Sequence, residues 1–145
     1  MEKTTVATDM FLKGYNCAQS ILYAFREESG ISEETAMKIS CGFGAGMGRK
    51  GEVCGAVTGG ILVLGMRHGR GLDDERAAMD AAYAKTAELM RLFASKHGSC
   101  ICRELLDGCD LATADGQRFF KENQYLTRVC KNCVQSVADI LERIR

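Results

Sequence analysis

The sequence predicts an all-α protein: a compact bundle of five or six helices forming a single domain over residues 1–145. Three observations carry that expectation. No stretch alternates apolar and polar residues as a half-buried strand would, whereas several carry apolar residues at helical spacing. The chain has no proline, which leaves long helices unbroken and removes the usual punctuation of a β-sandwich. Its 145 residues are 46% hydrophobic, enough for one core and too apolar for disorder.

Thr4 to Lys13 has helical character up to Gly14. Asn16 is a candidate N-cap, with Gln19 three residues on completing a capping box, and the helix from Cys17 to about Ser29 presents Ala18, Ile21, Leu22 and Phe25 on one face. Cys17, the first helical residue, lies where amide N–H groups and the helix dipole favour a thiolate, so its thiol is expected below the free value of about 8.5. Gly30 closes that helix. Ser32 caps the next, which carries Ala36, Met37 and Ile39, ends near Cys41 and places Cys41 in the core.

The most unusual stretch follows, CGFGAGMGRKGEVCGAVTGGILVLGMRHGRG from Cys41 to Gly71, with eleven of the sixteen glycines. Its first half is a loop that tolerates positive φ. It lacks the Gly-Lys-Ser/Thr ending of a P-loop and the strand that precedes one, and it fits a dinucleotide fingerprint only loosely. Its second half, Val53 to Arg67, reads as a buried helix. Four internal glycines cost about 1 kcal/mol each against alanine, so packing must offset about 4 kcal/mol. Gly55, Ala56, Gly59 and Gly60 form a small-residue stripe that another helix, or a second copy in a homodimer, can approach closely.

Asp73 or Asp74 opens a long amphipathic helix to His97, with Ala77, Ala81, Ala84, Ala87, Leu89, Leu92 and Phe93 as its apolar side. A turn with Cys100, Cys102 and Cys109 leads to a helix over Thr113–Tyr125. Thr127 is expected to cap the last helix, whose inner face is Val129, Cys133, Val137, Ile140, Leu141 and Ile144.

Charge narrows the function. Nineteen basic and nineteen acidic residues cancel, leaving no field to attract nucleic acid or an anionic membrane. The nearly uncharged run Val53–Met66 falls short of the roughly 20 residues that span a bilayer. Glu2, Lys3, Asp9 and Lys13 interrupt any apolar signal region, so the expected location is cytoplasmic. Eight cysteines in that reducing compartment point to metal ligation or electron exchange rather than static disulfides. Cys100 and Cys102 make a CxC and Cys130 and Cys133 a CxxC, a weaker zinc signal than paired CxxC motifs. Cys133 shares its helix face with Val137 and Ile140 and also reads as a core residue. Cys109, beside Asp110, reads as a free thiol. His68 and His97 each end a helix, where a cationic side chain suits the dipole, and Glu52 suits a first helical turn.

Four separated motifs in order, GYNCAQSIL, CGFGAGMGRKGEVCGAVTGG, CRELL and a cysteine-opened helix ending ADILERI, resemble the C_GCAxxG_C_C family of redox-active proteins from about Gly14 to Arg143. The resemblance implies that the family cysteines are Cys17, Cys54, Cys102 and Cys130, and that the CGAxxG motif is Cys54, Gly55, Ala56 and Gly59. Cys41, Cys100, Cys109 and Cys133 lie outside that pattern, with Cys100 and Cys133 kept as secondary thiols. Related sequence in split-Soret cytochromes implies an electron-transfer setting and an iron–sulfur cluster. This chain has no CxxCH motif, so c-type haem is not expected.

Three functions follow as expectations. In the first, the four family cysteines act in redox or electron transfer, as iron–sulfur ligands or as dithiol/disulfide pairs, with a redox partner protein. In the second they hold a structural zinc ion. In the third the chain is a helical protein-interaction module whose cysteines are mostly core.

Overall fold

A computed structural model describes residues 2–145 of the chain; Met1, the first residue of the expected domain, lies outside the described residues. The protein is all-α. The longer helices are α1 (Lys3–Leu12), α2 (Cys17–Ala24), α3 (Glu33–Ser40), α4 (Gly55–His68), α5 (Arg76–His97), α6 (Ala114–Glu122) and α7 (Lys131–Arg143). The one β-type contact among the described residues is an isolated antiparallel bridge between Val53 and Ile101.

Local chemistry explains most of the boundaries. Asn16 and Gln19 close a full capping box at the start of α2, Asn16 Oδ1 accepting from the Gln19 amide at 2.9 Å and Gln19 Oε1 from the Asn16 amide at 3.1 Å. Ser32 accepts from the Thr35 amide to cap α3, and Thr113 from the Gly116 amide to cap α6. Gly30 and Gly98 end helical segments in the left-handed region. The helix expected from Cys17 to Ser29 stops earlier. Phe25 leaves helical geometry, and a single turn, Arg26–Ser29, carries the chain on.

Helix α4 is the axis of the core. Its glycines do not form one stripe, because they serve two neighbours. A Cβ on Gly59 would meet the Ala18 carbonyl oxygen and Ile21 Cβ at 3.0 Å, so that side admits α2; one on Gly60 would meet Leu89 and Val137 at 2.9 Å, so the other side admits α5 and α7. Fully buried Phe25, Phe93, Ile21, Leu22, Leu89 and Leu141 from its neighbours pack in the same core as its own Val57, Val63 and Leu64. Each such side chain contributes about 1.5–3 kcal/mol by leaving water, which outweighs the helix-propensity cost of the glycines.

Helix α5 departs from expectation. Only Leu89 and Phe93 are buried, and Ala77, Ala81, Ala84 and Ala87 are exposed. The first half of α5 reaches beyond the core, so the face carrying these four alanines stays exposed. Helix α7 also begins differently. Thr127 does not cap it; its hydroxyl donates to the Gln124 carbonyl. A π-helical turn, Leu126–Cys130, leads directly into α7 instead. Such wide turns inside helices are frequent at functional sites.

Candidate functional site

The loop before α4 sets the geometry. Ala45, Gly46, Met47, Gly48, Arg49 and Gly51 all have positive φ, a left-handed run that folds the chain back on itself. Gly46 is required at its place: a Cβ there would sit 2.7 Å from the Glu52 amide nitrogen and 2.8 Å from Cys102 Cβ. Residues 51–54 then pair with 100–103. The Cys54 amide donates to the Cys100 carbonyl at 2.7 Å, and the Cys102 amide donates to the Glu52 carbonyl at the same distance. This two-sided clasp fixes Cys54 and Cys102 on neighbouring backbones.

Gly55 brings in the third cysteine. A Cβ on it would lie 3.1 Å from Cys17 Cβ and 3.2 Å from the Phe43 carbonyl oxygen. Glycine at this position lets the start of α2 meet the start of α4 without a shift of either. The turn Leu126–Cys130 and the first turn of α7 supply Cys130 and Cys133. The result is a cavity of about 230 Å³ bordered by Cys17, Cys54, Cys102, Cys130 and Cys133. Phe11, Tyr15, Leu106, Leu111, Phe120 and Leu126 are the large apolar side chains of the rest of the wall, with Leu105 and Val129 beside them.

All eight cysteines are free thiols. Cys54, Cys102 and Cys133 are buried, while Cys17 and Cys130 are half-buried. Within the cavity the thiols act on one another in pairs. Hydrogen bonding from Cys133, then the amides of Ala56 and Val57, hold the Cys54 thiol below its ordinary value against the opposing cost of burial. No side chain caps α4, and Cys54 is its N-cap residue, so those amides are free to favour the thiolate. Cys133 is correspondingly pushed up, by its hydrogen bond to Cys54 and by burial. Cys17 is pushed well up, by its hydrogen bond to Cys130, then burial and the charge of Cys54. Burial and the nearby Cys54 raise Cys102 to about 12.

Cys17 therefore reverses its expectation. It does open a helix, but Asn16 takes the Gln19 amide, and the Cys17 thiol donates to a neighbouring sulfur instead. Acidification falls on Cys54.

The other cysteines lie elsewhere. Cys41 is exposed rather than in the core, because the inner face of α3 is Ala36 and Ser40 and the chain turns outward one residue later. Cys100 is half-buried, and its Sγ donates to the Met90 carbonyl at 3.4 Å. Cys109 is buried, and its Sγ donates to the Gly116 carbonyl at 3.1 Å. His97 stacks on Phe93 and meets Ser136 Oγ at 2.8 Å. Neither histidine borders the cavity, and Glu52 is exposed outside it.

Cys133 is the residue that sequence reasoning undervalued. The CxxC spacing puts it on the same side of the helix as Cys130, one turn on, and that was the available signal. As placed, no three His, Cys, Asp or Glu side chains among the described residues are grouped to hold a metal ion. A single zinc ion would need thiolates converging on one point at about 2.3 Å, so the thiols would have to move to bind one.

An all-helical domain with five cysteines around one apolar cavity defines a thiol-rich helical protein. The chain matches, over residues 15–144, the family described as "Putative redox-active protein (C_GCAxxG_C_C)", and it belongs to that family. It is also 29% identical over 131 residues, 86% of this chain and 85% of the relative, to an uncharacterized protein of Archaeoglobus fulgidus. No solved structure matches the chain. Among the described residues no helix is long and apolar enough to cross a membrane.

Proposed function

We propose that the protein is a dithiol/disulfide redox protein in which Cys54 is the reactive thiolate and Cys133 its partner. The observation that carries this reading is the placement of buried Cys54 and Cys133 in the wall of one cavity, with Cys54 at the uncapped start of α4; the Cys54 thiol is held down there while Cys17, Cys102 and Cys133 are pushed up. Cys54 reacts as the thiolate and Cys133 as the thiol. Oxidation joins the two sulfurs, releases the Cys133 proton and passes two electrons to an acceptor. Reduction reverses the step, with Cys54 as the leaving sulfur. Its lowered proton affinity makes it a good one. The half-buried Cys17 and Cys130 lie beside it and stay reduced, the Cys17 thiol being kept protonated by its neighbour Cys130.

A redox titration under anaerobic conditions, with alkylation of the remaining thiols and mapping of the disulfide, tests this. One two-electron couple and a Cys54–Cys133 disulfide are expected, and Cys54→Ser abolishes the couple. Titration with no loss of Cys54 and Cys133 thiols would sink the reading.

A second reading has its own observation: Cys17, Cys54, Cys102 and Cys130 border one cavity from four different segments. Thiols spread around a cavity suit a body several ångströms wide better than a single ion. These four would hold an iron–sulfur cluster, which when bound supplies one-electron transfer. Reconstitution with iron and sulfide then produces a visible sulfur-to-iron absorption band, and a protein that stays colourless removes this reading.

A further inference from the structure

The cavity has walls as well as thiols, and the walls carry information about what reacts there. No Asp, Glu, Lys, Arg or His side chain is among its lining residues. Phe11, Tyr15 and Phe120 contribute three aromatic rings, and Leu106 and Leu111 aliphatic surface. Tyr15 is 43% exposed and Leu126 42%, so these two stand at the mouth, while Leu106, Cys54 and Cys133 are buried within. The volume of about 230 Å³ exceeds the about 150 Å³ that accommodates benzene in an apolar cavity. It suits a fused two-ring molecule.

We propose that this cavity admits an uncharged aromatic quinone as the two-electron acceptor of the Cys54–Cys133 dithiol. The inference rests on the dithiol reading and adds the class of its small-molecule partner. Charged thiol oxidants, such as oxidised glutathione, would have to leave water for a wall with no counter-charge, a desolvation penalty with nothing to offset it. A quinone carries no charge, offers two flat faces to aromatic side chains and is electrophilic at carbon.

The reaction balances without a further reactant. The Cys54 thiolate adds to a ring carbon, forming a carbon–sulfur bond at a now tetrahedral carbon beside the remaining carbonyl and placing an electron pair on the other ring oxygen as an enolate. The Cys133 sulfur, giving up its proton, then attacks Cys54 Sγ. The sulfur–sulfur bond forms, the carbon–sulfur bond breaks, and its electron pair leaves with the ring. The ring takes the Cys133 proton and one from solvent and departs as the hydroquinone. In sum, one thiolate, one thiol, one quinone and one proton give one disulfide and one hydroquinone.

The test mixes the reduced, full-length protein anaerobically with menadione, with an anionic naphthoquinone sulfonate, and with diamide as a general thiol oxidant. Menadione is expected to yield one hydroquinone per Cys54–Cys133 disulfide, about tenfold faster than the sulfonate, because the charged ring must be desolvated. Leu126→Asp, at an exposed position that does not build the core, lowers the ratio of the menadione to the diamide rate about tenfold. Diamide oxidation with equal rates for the two quinones, or with stable quinone adducts in place of the disulfide, overturns the quinone assignment and leaves the dithiol reading standing. Failure of all three oxidants to form the Cys54–Cys133 disulfide overturns both.

Discussion

Two helix starts pack against each other at the edge of the cavity, and they treat a cysteine in opposite ways. At the start of α2, Asn16 and Gln19 exchange hydrogen bonds in a complete capping box, and Cys17 next to it has its thiol pushed up. At the start of α4 no side chain caps the helix, and Cys54 has its thiol held down. Both cysteines are near amide N–H groups and the positive end of a dipole. The difference lies in which partner each sulfur has. Cys17 donates its proton to Cys130, which holds it protonated. Cys54 accepts from Cys133 and from backbone amides, which favours its charged form. A helix N-terminus therefore activates a thiol only where the cap is left to the sulfur.

The most severe test of this comparison is alkaline pH. A thiol is an acid, so one whose proton affinity is raised by folding stays protonated after its unfolded counterpart has ionised. Its contribution to stability is complete below its ordinary value of 9.0 and is lost as pH rises towards the folded value, about 12 for Cys102. Cys17 and Cys133 act with the same sign. Cys54 acts with the opposite sign, since its lowered value stabilises the fold above the unfolded value, but it stands alone against three. The melting temperature is expected to fall steadily between pH 9 and 12. A flat profile would mean that the cavity thiols are not desolvated.

A smaller effect separates the glycines of α4. Gly55→Ala places a methyl group against Cys17 Cβ and the Phe43 carbonyl. It should cost about 1–3 kcal/mol by overpacking and should force the two helix starts apart. Gly65→Ala meets nothing within 4 Å and should stabilise the helix by up to about 1 kcal/mol. Chemical denaturation of the two variants checks the contrast, and equal effects would break it. The mildest change, Asn16→Ala, removes the cap at a cost of about 1 kcal/mol and frees the Gln19 amide. The Cys17 thiol should then become more acidic, read by the pH dependence of its alkylation. An unchanged Cys17 would show that Cys130 alone sets its behaviour.

Much of this was legible in the sequence, for identifiable reasons. The caps at Asn16 and Ser32 depend on residues three apart, which a linear reading sees. Gly55 and Gly59 announced close packing through their spacing, and α2 fills it. What stayed hidden depends on contacts distant along the chain. The pairing of Cys54 with Cys133 spans most of the chain, so Cys54 acidity could not be read from its neighbours. The π-helical turn before α7 left no local mark, and Thr127 looked like a cap where the chain was already helical. The alanine face of α5 has the right periodicity, yet nothing in its own sequence shows that the core ends before it.

Site-resolved alkylation of the fully reduced protein near neutral pH tests the central claim most directly. The account predicts that Cys54 is modified before Cys17 although it is the more buried of the two, and that Cys133→Ala slows Cys54 alkylation by removing the hydrogen bond that favours its thiolate. Modification of Cys17 before Cys54, or a Cys54 rate indifferent to Cys133, would contradict it.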